Sequence, residues 1–335
     1  MSRPLIVIIG GSGFVGNAIA RYMADTGHYD IRIADIRPPR GSAQYIEFLP
    51  CDIRSSESVK KAIKGASVVI NTAIIQIPAI NEQKRLAYEV NILGTINVCE
   101  AALNEPTVKG LILAGTWHVF GDVGLSGLVD EGFGFRPDKV EPQARLYALH
   151  KVGQEVIVRI FDEMSDKIFG VIRQGTTLGE NMPQKTAANI FIEQALSGGP
   201  ITPFRHSLHR PMLFTYIGDV CRAYETYTRK ILNDDIPKTG NSLERVVNVC
   251  YPKPVTILEL ASMVKNIVEE LTHGELRPDI EIVDKNLPEL FSPEDKNKIK
   301  LNVEKAIRLL ELGSLTSPSK ALREIISARI KLLGF

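Results

Sequence analysis

The stretch that most constrains this chain is "IVIIGGSGFVGNAIARYMADTG", from Ile6 to Gly27. An apolar, strand-like run leads into glycines at Gly10, Gly13 and Gly16, and an amphipathic segment follows. Glycine is needed where a backbone turns sharply between strand and helix and lets an anion come close. The helix N-terminus then offers free N–H groups and a partial positive charge. On its own the spacing suits either a phosphate cradle or a tight turn. A dinucleotide site also needs an acidic residue about 20 positions on, at the end of the next strand. Asp35 in "DIRIADIRPP" fills that place. The loop, with Phe14 and Val15 opening the helix, is therefore expected to hold the pyrophosphate of a dinucleotide. Asp35 would accept from both adenosine ribose hydroxyls and repel a 2′-phosphate, which favours NAD over NADP. Arg37 and Arg40 lie close enough in sequence to leave the phosphorylated cofactor open.

The rest of the chain agrees with that context. Short strand candidates rich in Ile, Val and Leu fall at 5–9, 31–34, 45–49, 68–71, 111–114 and 169–172. Helical stretches at 14–26, 56–64, 82–103 and 144–164 lie between them. Strands without polar alternation, separated by helices, imply an α/β fold with a Rossmann-type doubly wound parallel sheet covered on both faces. After Arg173 the rhythm becomes irregular, with Pro- and Gly-rich loops such as "SGGPITPFRHSLHRP". Residues 1–173 and about 212–250 are thus expected to form the cofactor domain. About 174–211 and 251–335 would form a smaller, mainly C-terminal substrate lobe.

At 335 residues the chain can bury a sizeable core, and its net charge of +1 gives no basis for a nucleic-acid surface. No run approaches the ~18 apolar residues of a membrane span. Met1–Pro4 lead directly into the first strand, so no secretory leader is expected. Cys51, Cys99, Cys221 and Cys250 form no C-x-x-C pair and read as buried, reduced thiols of a cytoplasmic protein, with no metal framework.

Tyr147-x-x-x-Lys151 in "LYALHK" places a phenol and an ammonium on one helix face. With the glycine spacing, "CDI" at 51–53, "NTA" at 71–73, "VNILGTINV" at 90–98 and "AGTWHVFG" at 114–121, the chain resembles the extended short-chain dehydrogenase/reductase family of NAD-dependent epimerases and dehydratases. That resemblance implies that Tyr147 and Lys151 are the acid/base pair and Thr116 the catalytic hydroxyl. It puts Asp52 and Ile53 against the adenine and Asn71, Thr72 and Ala73 along the phosphates and ribose, with Asn91 supporting that side. It also implies a homodimer built on helices near 84–103 and 144–164.

The chemistry is coherent in its own right. Oxidising a secondary alcohol requires a base for the hydroxyl proton while a hydride departs. Free tyrosine, with a pKa near 10, needs a lowering worth ~4 kcal/mol to serve at neutral pH. A lysine charge ~6 Å away at an effective dielectric of ~20 supplies roughly 3 kcal/mol.

The resemblance also separates reactions. Dehydratases carry an Asp-Glu pair directly after the catalytic threonine, whereas Trp117 and His118 stand here, so elimination is not expected. An epimerase acting on a nucleotide sugar needs only the Tyr, Lys and Thr present, and the cationic loop at 205–210 could meet its diphosphate. Two departures count against it. Thr176 stands where the family has an Asn, and Met212 stands where it has an Arg, with Arg210 displaced by two residues. The alternatives are a simple alcohol dehydrogenase or ketone reductase, and a non-catalytic NAD sensor. His118 reads either as a proton relay or as a packed, substrate-facing residue.

Overall fold

The computed structural model describes residues 3–39, 41 and 45–333, so Arg40 lies outside the described residues. Strands β1 (Leu5–Ile9), β2 (Asp30–Asp35), β3 (Ile46–Pro50), β4 (Val68–Asn71) and β5 (Gly110–Thr116) belong to one sheet. With β7 (Ile168–Gln174) and β11 (Val246–Val249) they form seven parallel strands in the order β11-β7-β5-β4-β1-β2-β3. The order reverses between β1 and β4, which is where a doubly wound sheet opens a crevice at its carboxyl ends.

The two-residue side-chain period explains the layers. Ile6 and Ile8 of β1 face helix α1 (Phe14–Asp25) and helix α8 (Ile217–Leu232), whereas Val7 and Ile9 face the opposite cluster with Val98, Val158 and Val59 of helix α2 (Ser56–Ile63). Helix α1 buries Gly16, Ile19, Ala20 and Met23, an i, i+3, i+4, i+7 stripe that seats it on the sheet.

One expectation needs correction. The single helix expected over 82–103 is three: α3 (Ala79–Glu82), α4 (Lys84–Tyr88) and α5 (Gly94–Asn104), with a π-helical turn at Glu89–Leu93 between the last two. Gln83 leaves helical geometry at φ −119°, ψ 56°. The wider π turn carries Asn91, whose amide is drawn to the backbone of Ile75. Such turns interrupt helices frequently at functional sites.

The remaining elements build a second core. Short strands pair as β6 (Gly127–Val129) with β13 (Ile299–Leu301), β8 (Thr176–Leu178) with β10 (Phe214–Tyr216), and β9 (Pro211–Met212) with β12 (Val255–Thr256). Trp117, Phe120, Leu178, Phe191, Phe214 and Leu260 share this cluster, which takes in helices α7 (Ala187–Leu196), α9 (Ile257–Leu271) and α11 (Pro318–Leu333). Helix α10 (Glu304–Leu309) instead returns to the sheet, adding Ala306 to the cluster under α1 and α8. The segment 117–129 therefore packs with the lobe: its start continues from β5 of the main sheet, and its end, β6, pairs with β13. The four cysteines are buried and unpaired. Among the described residues no helix is long and apolar enough to cross a membrane, and no cluster of His, Cys, Asp and Glu could hold a metal ion.

Candidate active site

The site begins where β1 ends. Gly10 has φ +74°, and a Cβ there would lie 2.7 Å from the Ala73 nitrogen. A Cβ on Gly16 would lie 2.7 Å from both the Gly10 carbonyl oxygen and Thr72 Oγ1. Both glycines are thus required by contact between the loop and the segment after β4. Gly13 caps α1 without a side chain, and no acidic residue stands in the first turn. The helix start therefore presents N–H groups with no internal carboxylate competing for them, as a pyrophosphate requires. Phe14 packs toward the lobe cluster and Val15 toward the sheet cluster.

Asp35 closes β2 and accepts from the Ser12 backbone N–H at 3.1 Å and the Arg37 N–H at 3.2 Å. The carboxylate thus ties the glycine loop to the second strand. Thr72 donates its hydroxyl to the Ile9 and Gly10 carbonyls at 2.9 and 3.1 Å. Asn71 is fully buried, accepts from the Ala73 N–H at 3.1 Å, and leaves its Nδ2 without a partner. Asn91 accepts from the Ile75 N–H, donates to the Ile75 carbonyl, and lies 3.0 Å from His150 Nδ1. These residues frame the crevice by fixing its backbone. Asp52 turns to Arg54 at 2.6 Å, which holds its carboxyl below the usual range, and Ile53 is buried beneath Gly94.

The second half of the site comes from β5 and helix α6 (Arg145–Glu163). Thr116 ends β5 and caps the 3₁₀ turn Trp117–Phe120; its Oγ1 lies 3.1 Å from His118 Nδ1. The His118 ring meets Tyr147 edge-on, with centroids 5.6 Å apart at 89°. Burial pushes the Tyr147 phenol up to about 12, and a hydrogen bond with the Thr116 side chain works in the other direction. One turn further along α6, Lys151 donates to the Ala114 carbonyl at 2.7 Å, and burial pulls its pKa down to about 7. His118 is driven down to about 3 by burial and by the positive charge of Arg210. At neutral pH that ring is uncharged, which suits a packed hydrogen-bonding partner of Thr116.

The three expected substrate residues divide. His118 stands between Thr116 and Tyr147. Thr176 Oγ1 accepts from Trp117 Nε1 at 3.2 Å, so it braces the same turn from the lobe side. Arg210 donates to Asp122 Oδ2 at 2.5 Å and Glu141 Oε2 at 2.8 Å. Arg205 of the same loop pairs with Asp284 at 3.2 Å, and the His206 ring stacks on Phe204. Two of the loop's cations are thus neutralised by carboxylates. Asp122 and Glu141 escaped the sequence reading because their cation lies 88 and 69 residues away in the chain. Trp117 carried one usable signal, as the only tryptophan and the neighbour of Thr116.

A crevice at the carboxyl ends of a parallel sheet, lined by a glycine cradle, a strand-end carboxylate and a Thr/Tyr/Lys set, defines a dinucleotide-dependent class of fold. Residues 6–247 match the NAD dependent epimerase/dehydratase family, and this chain belongs to it. Among curated proteins, the decarboxylating sterol-4-alpha-carboxylate 3-dehydrogenase of Bos taurus is 28% identical over 193 residues, 57% of this chain and 51% of that protein. The chain spans about half the length of the first curated relatives it matches. UDP-glucuronic acid 4-epimerase from Bacillus cereus, solved with UDP-glucuronic acid and NAD, superposes with a TM-score of 0.76. It is 20% identical, with 98% of this chain and 99% of that one covered. The UDP-glucose 4-epimerase of Thermus thermophilus, solved with NAD, gives a TM-score of 0.75 at 19% identity, covering 97% and 99%.

Proposed function

We propose that this protein carries out redox chemistry at a secondary alcohol carbon with NAD, using Thr116, Tyr147 and Lys151. The observation that carries this reading is the convergence of Thr116 and His118 with Tyr147, which lies on a helix whose Gln154 donates to the Ala73 carbonyl next to the glycine loop. Gly10, Gly13 and Gly16, with Phe14 and Val15, would hold the pyrophosphate, and Asp35 the adenosine ribose. Asn71, Thr72, Ala73 and Asn91 would shape the wall, while Asp52 and Ile53 meet the adenine side through backbone and apolar contact. The orphaned, buried Asn71 Nδ2 and the positive φ of Gly10 fit such a group. When bound, NAD supplies the hydride acceptor and, in the reverse sense, the donor.

The side chains do the rest. The Thr116 hydroxyl, oriented by neutral His118, can donate to the substrate oxygen. Tyr147 takes the alcohol proton once a positive charge near the phenol draws its pKa down from about 12. Lys151, one turn along the same helix, would provide that charge only while protonated, so its contribution would weaken as pH rises through about 7. The lobe of about 174–211 and 251–335 is proposed to hold the substrate. The buried, unpaired cysteines suit a cytoplasmic enzyme.

The expectation of a nucleotide-sugar epimerase leaned on a cationic 205–210 loop. With Arg205 and Arg210 held by carboxylates, the second reading gains: a dehydrogenase or ketone reductase whose substrate need not carry a diphosphate. Incubation with nucleotide sugars and simple secondary alcohols, with and without NAD, separates the two. NADH released in proportion to product, with nucleotide sugars unchanged, supports the dehydrogenase. A nucleotide sugar epimerised without added NAD restores the epimerase. In either case Tyr147→Phe should cut turnover by ~100-fold while NAD still binds; a nearly active variant sinks the assignment.

A further inference from the structure

We propose that Arg210 is a positioning residue, fastening the lobe to both halves of the candidate catalytic centre: the turn that carries Thr116 and His118, and the helix that carries Tyr147. The inference rests on the reading that Thr116 and Tyr147 do the chemistry. Asp122 follows the 3₁₀ turn Trp117–Phe120 by two residues. Its segment is pinned to 136–139 by the Val123 N–H donating to Lys139 O and the Arg136 N–H donating to Val119 O. Gly121 permits this approach, since a Cβ there would lie 2.4 Å from the Arg136 oxygen. Glu141, six residues before Tyr147, caps the short turn Pro142–Ala144, which runs straight into α6. Arg210 arrives from the lobe, immediately before the Pro211–Met212 strand that pairs with Val255–Thr256.

One guanidinium thereby joins three segments that the chain does not join. Asp122 and Glu141 are 1% and 4% exposed. Without Arg210 these two carboxylates would be buried with no cation, and like charges in a low dielectric move apart or take up a proton. The planar fork reaches both acceptors at once, which a lysine point charge does less well. Nε and Nη1 hold the two carboxylates, so only the buried, unpartnered Nη2 remains to meet any further group. The same charge helps to keep His118 neutral against Tyr147.

Trp117 is the chain's single tryptophan, so its fluorescence reports the Thr116 turn without any substrate. In Arg210→Met the emission should shift to the red and acrylamide quenching should steepen. Far-UV circular dichroism should stay unchanged, and NAD affinity should hold within about twofold because the two sites share no partner. Arg210→Lys should fall between wild type and Met. Wild-type emission and quenching in Arg210→Met would overturn the proposal. Should that variant not fold, Asp122→Asn and Glu141→Gln each loosen one side of the fork and carry the same expectation; wild-type Trp117 signals in both overturn it. On a substrate found by product screening, Arg210→Lys should lower kcat with KM held. A raised KM at unchanged kcat would make Arg210 a substrate contact and also overturn it. Failure of the catalytic reading shows separately, as an active Tyr147→Phe enzyme whose Trp117 still loosens on loss of Arg210.

Discussion

Asp35 sits where charge and architecture meet. Its carboxylate receives the Ser12 and Arg37 N–H groups, so replacing it with alanine would disorder the loop as well as remove the charge. Asp35→Asn keeps an acceptor oxygen and removes only the charge. NAD affinity should fall about tenfold, the size of one charge-assisted hydrogen bond, with NADP affected less. Calorimetric titration of both cofactors checks this, and tighter NADP binding by wild type would refute the preference and turn attention to Arg37. Lys151 makes a prediction about stability. Burial lowers its pKa from 10.5 to about 7, so between those values the unfolded chain binds more protons than the folded one. Stability should therefore rise with pH across that window, by at most about 5 kcal/mol at 1.36 kcal/mol per pH unit. Lys151→Met should melt higher than wild type at pH 6, with the advantage shrinking toward pH 10; thermal melts of NAD-stripped protein that show no such trend would remove the buried-lysine account. Tyr147 and Lys151 were readable because their spacing of four fixes their shared face. Asp122 and Glu141 were not, since a contact across 88 or 69 residues leaves no local trace.

At the scale of elements, the β1–loop–α1 unit is the most legible part of the chain. Its strand bounds follow directly from the apolar run and its helix from the buried stripe. Gly16 tests whether the loop does what its shape suggests. Alanine there would gain helix propensity of less than ~1 kcal/mol. Its Cβ, however, would meet the Gly10 oxygen and Thr72 Oγ1 at 2.7 Å, and neither neighbour can yield freely. Overpacking of this kind destabilises by about 1–3 kcal/mol. Gly16→Ala should melt several degrees lower and lose most NAD affinity; a variant that binds NAD as wild type does would show that the loop is not the cradle. The region 79–104 was least legible. Apolar periodicity reports that a helix is present, but not that its turn widens at Glu89–Leu93 to let Asn91 reach Ile75.

The whole molecule presents one more surface. Along α6, Leu149, Val156 and Ile160 are 43%, 39% and 50% exposed, and Met164 just beyond it is 67% exposed. Their steps of seven, four and four residues keep them on one helical face. Tyr88 and Leu93, on the neighbouring helix and π turn, add two more exposed apolar side chains. The two elements lie close enough that a Cβ on Gly153 would touch Ile92 Cδ1 at 2.8 Å, and Gln154 bonds Thr95 across the gap at 2.9 Å. The stripe therefore sits on a rigid, doubled support, while the opposite face of α6 already packs on the sheet. We propose that a second copy covers it through a two-fold contact of these helices, as a self-complementary patch favours. Sedimentation velocity at micromolar concentration should give a dimer. Val156→Arg combined with Ile160→Glu places charges in the middle of the stripe and should give a monomer that still binds NAD, because neither residue reaches the glycine crevice. A wild-type monomer would leave the stripe as ordinary exposed apolar area, and a double variant that remains dimeric would move the assembly surface elsewhere.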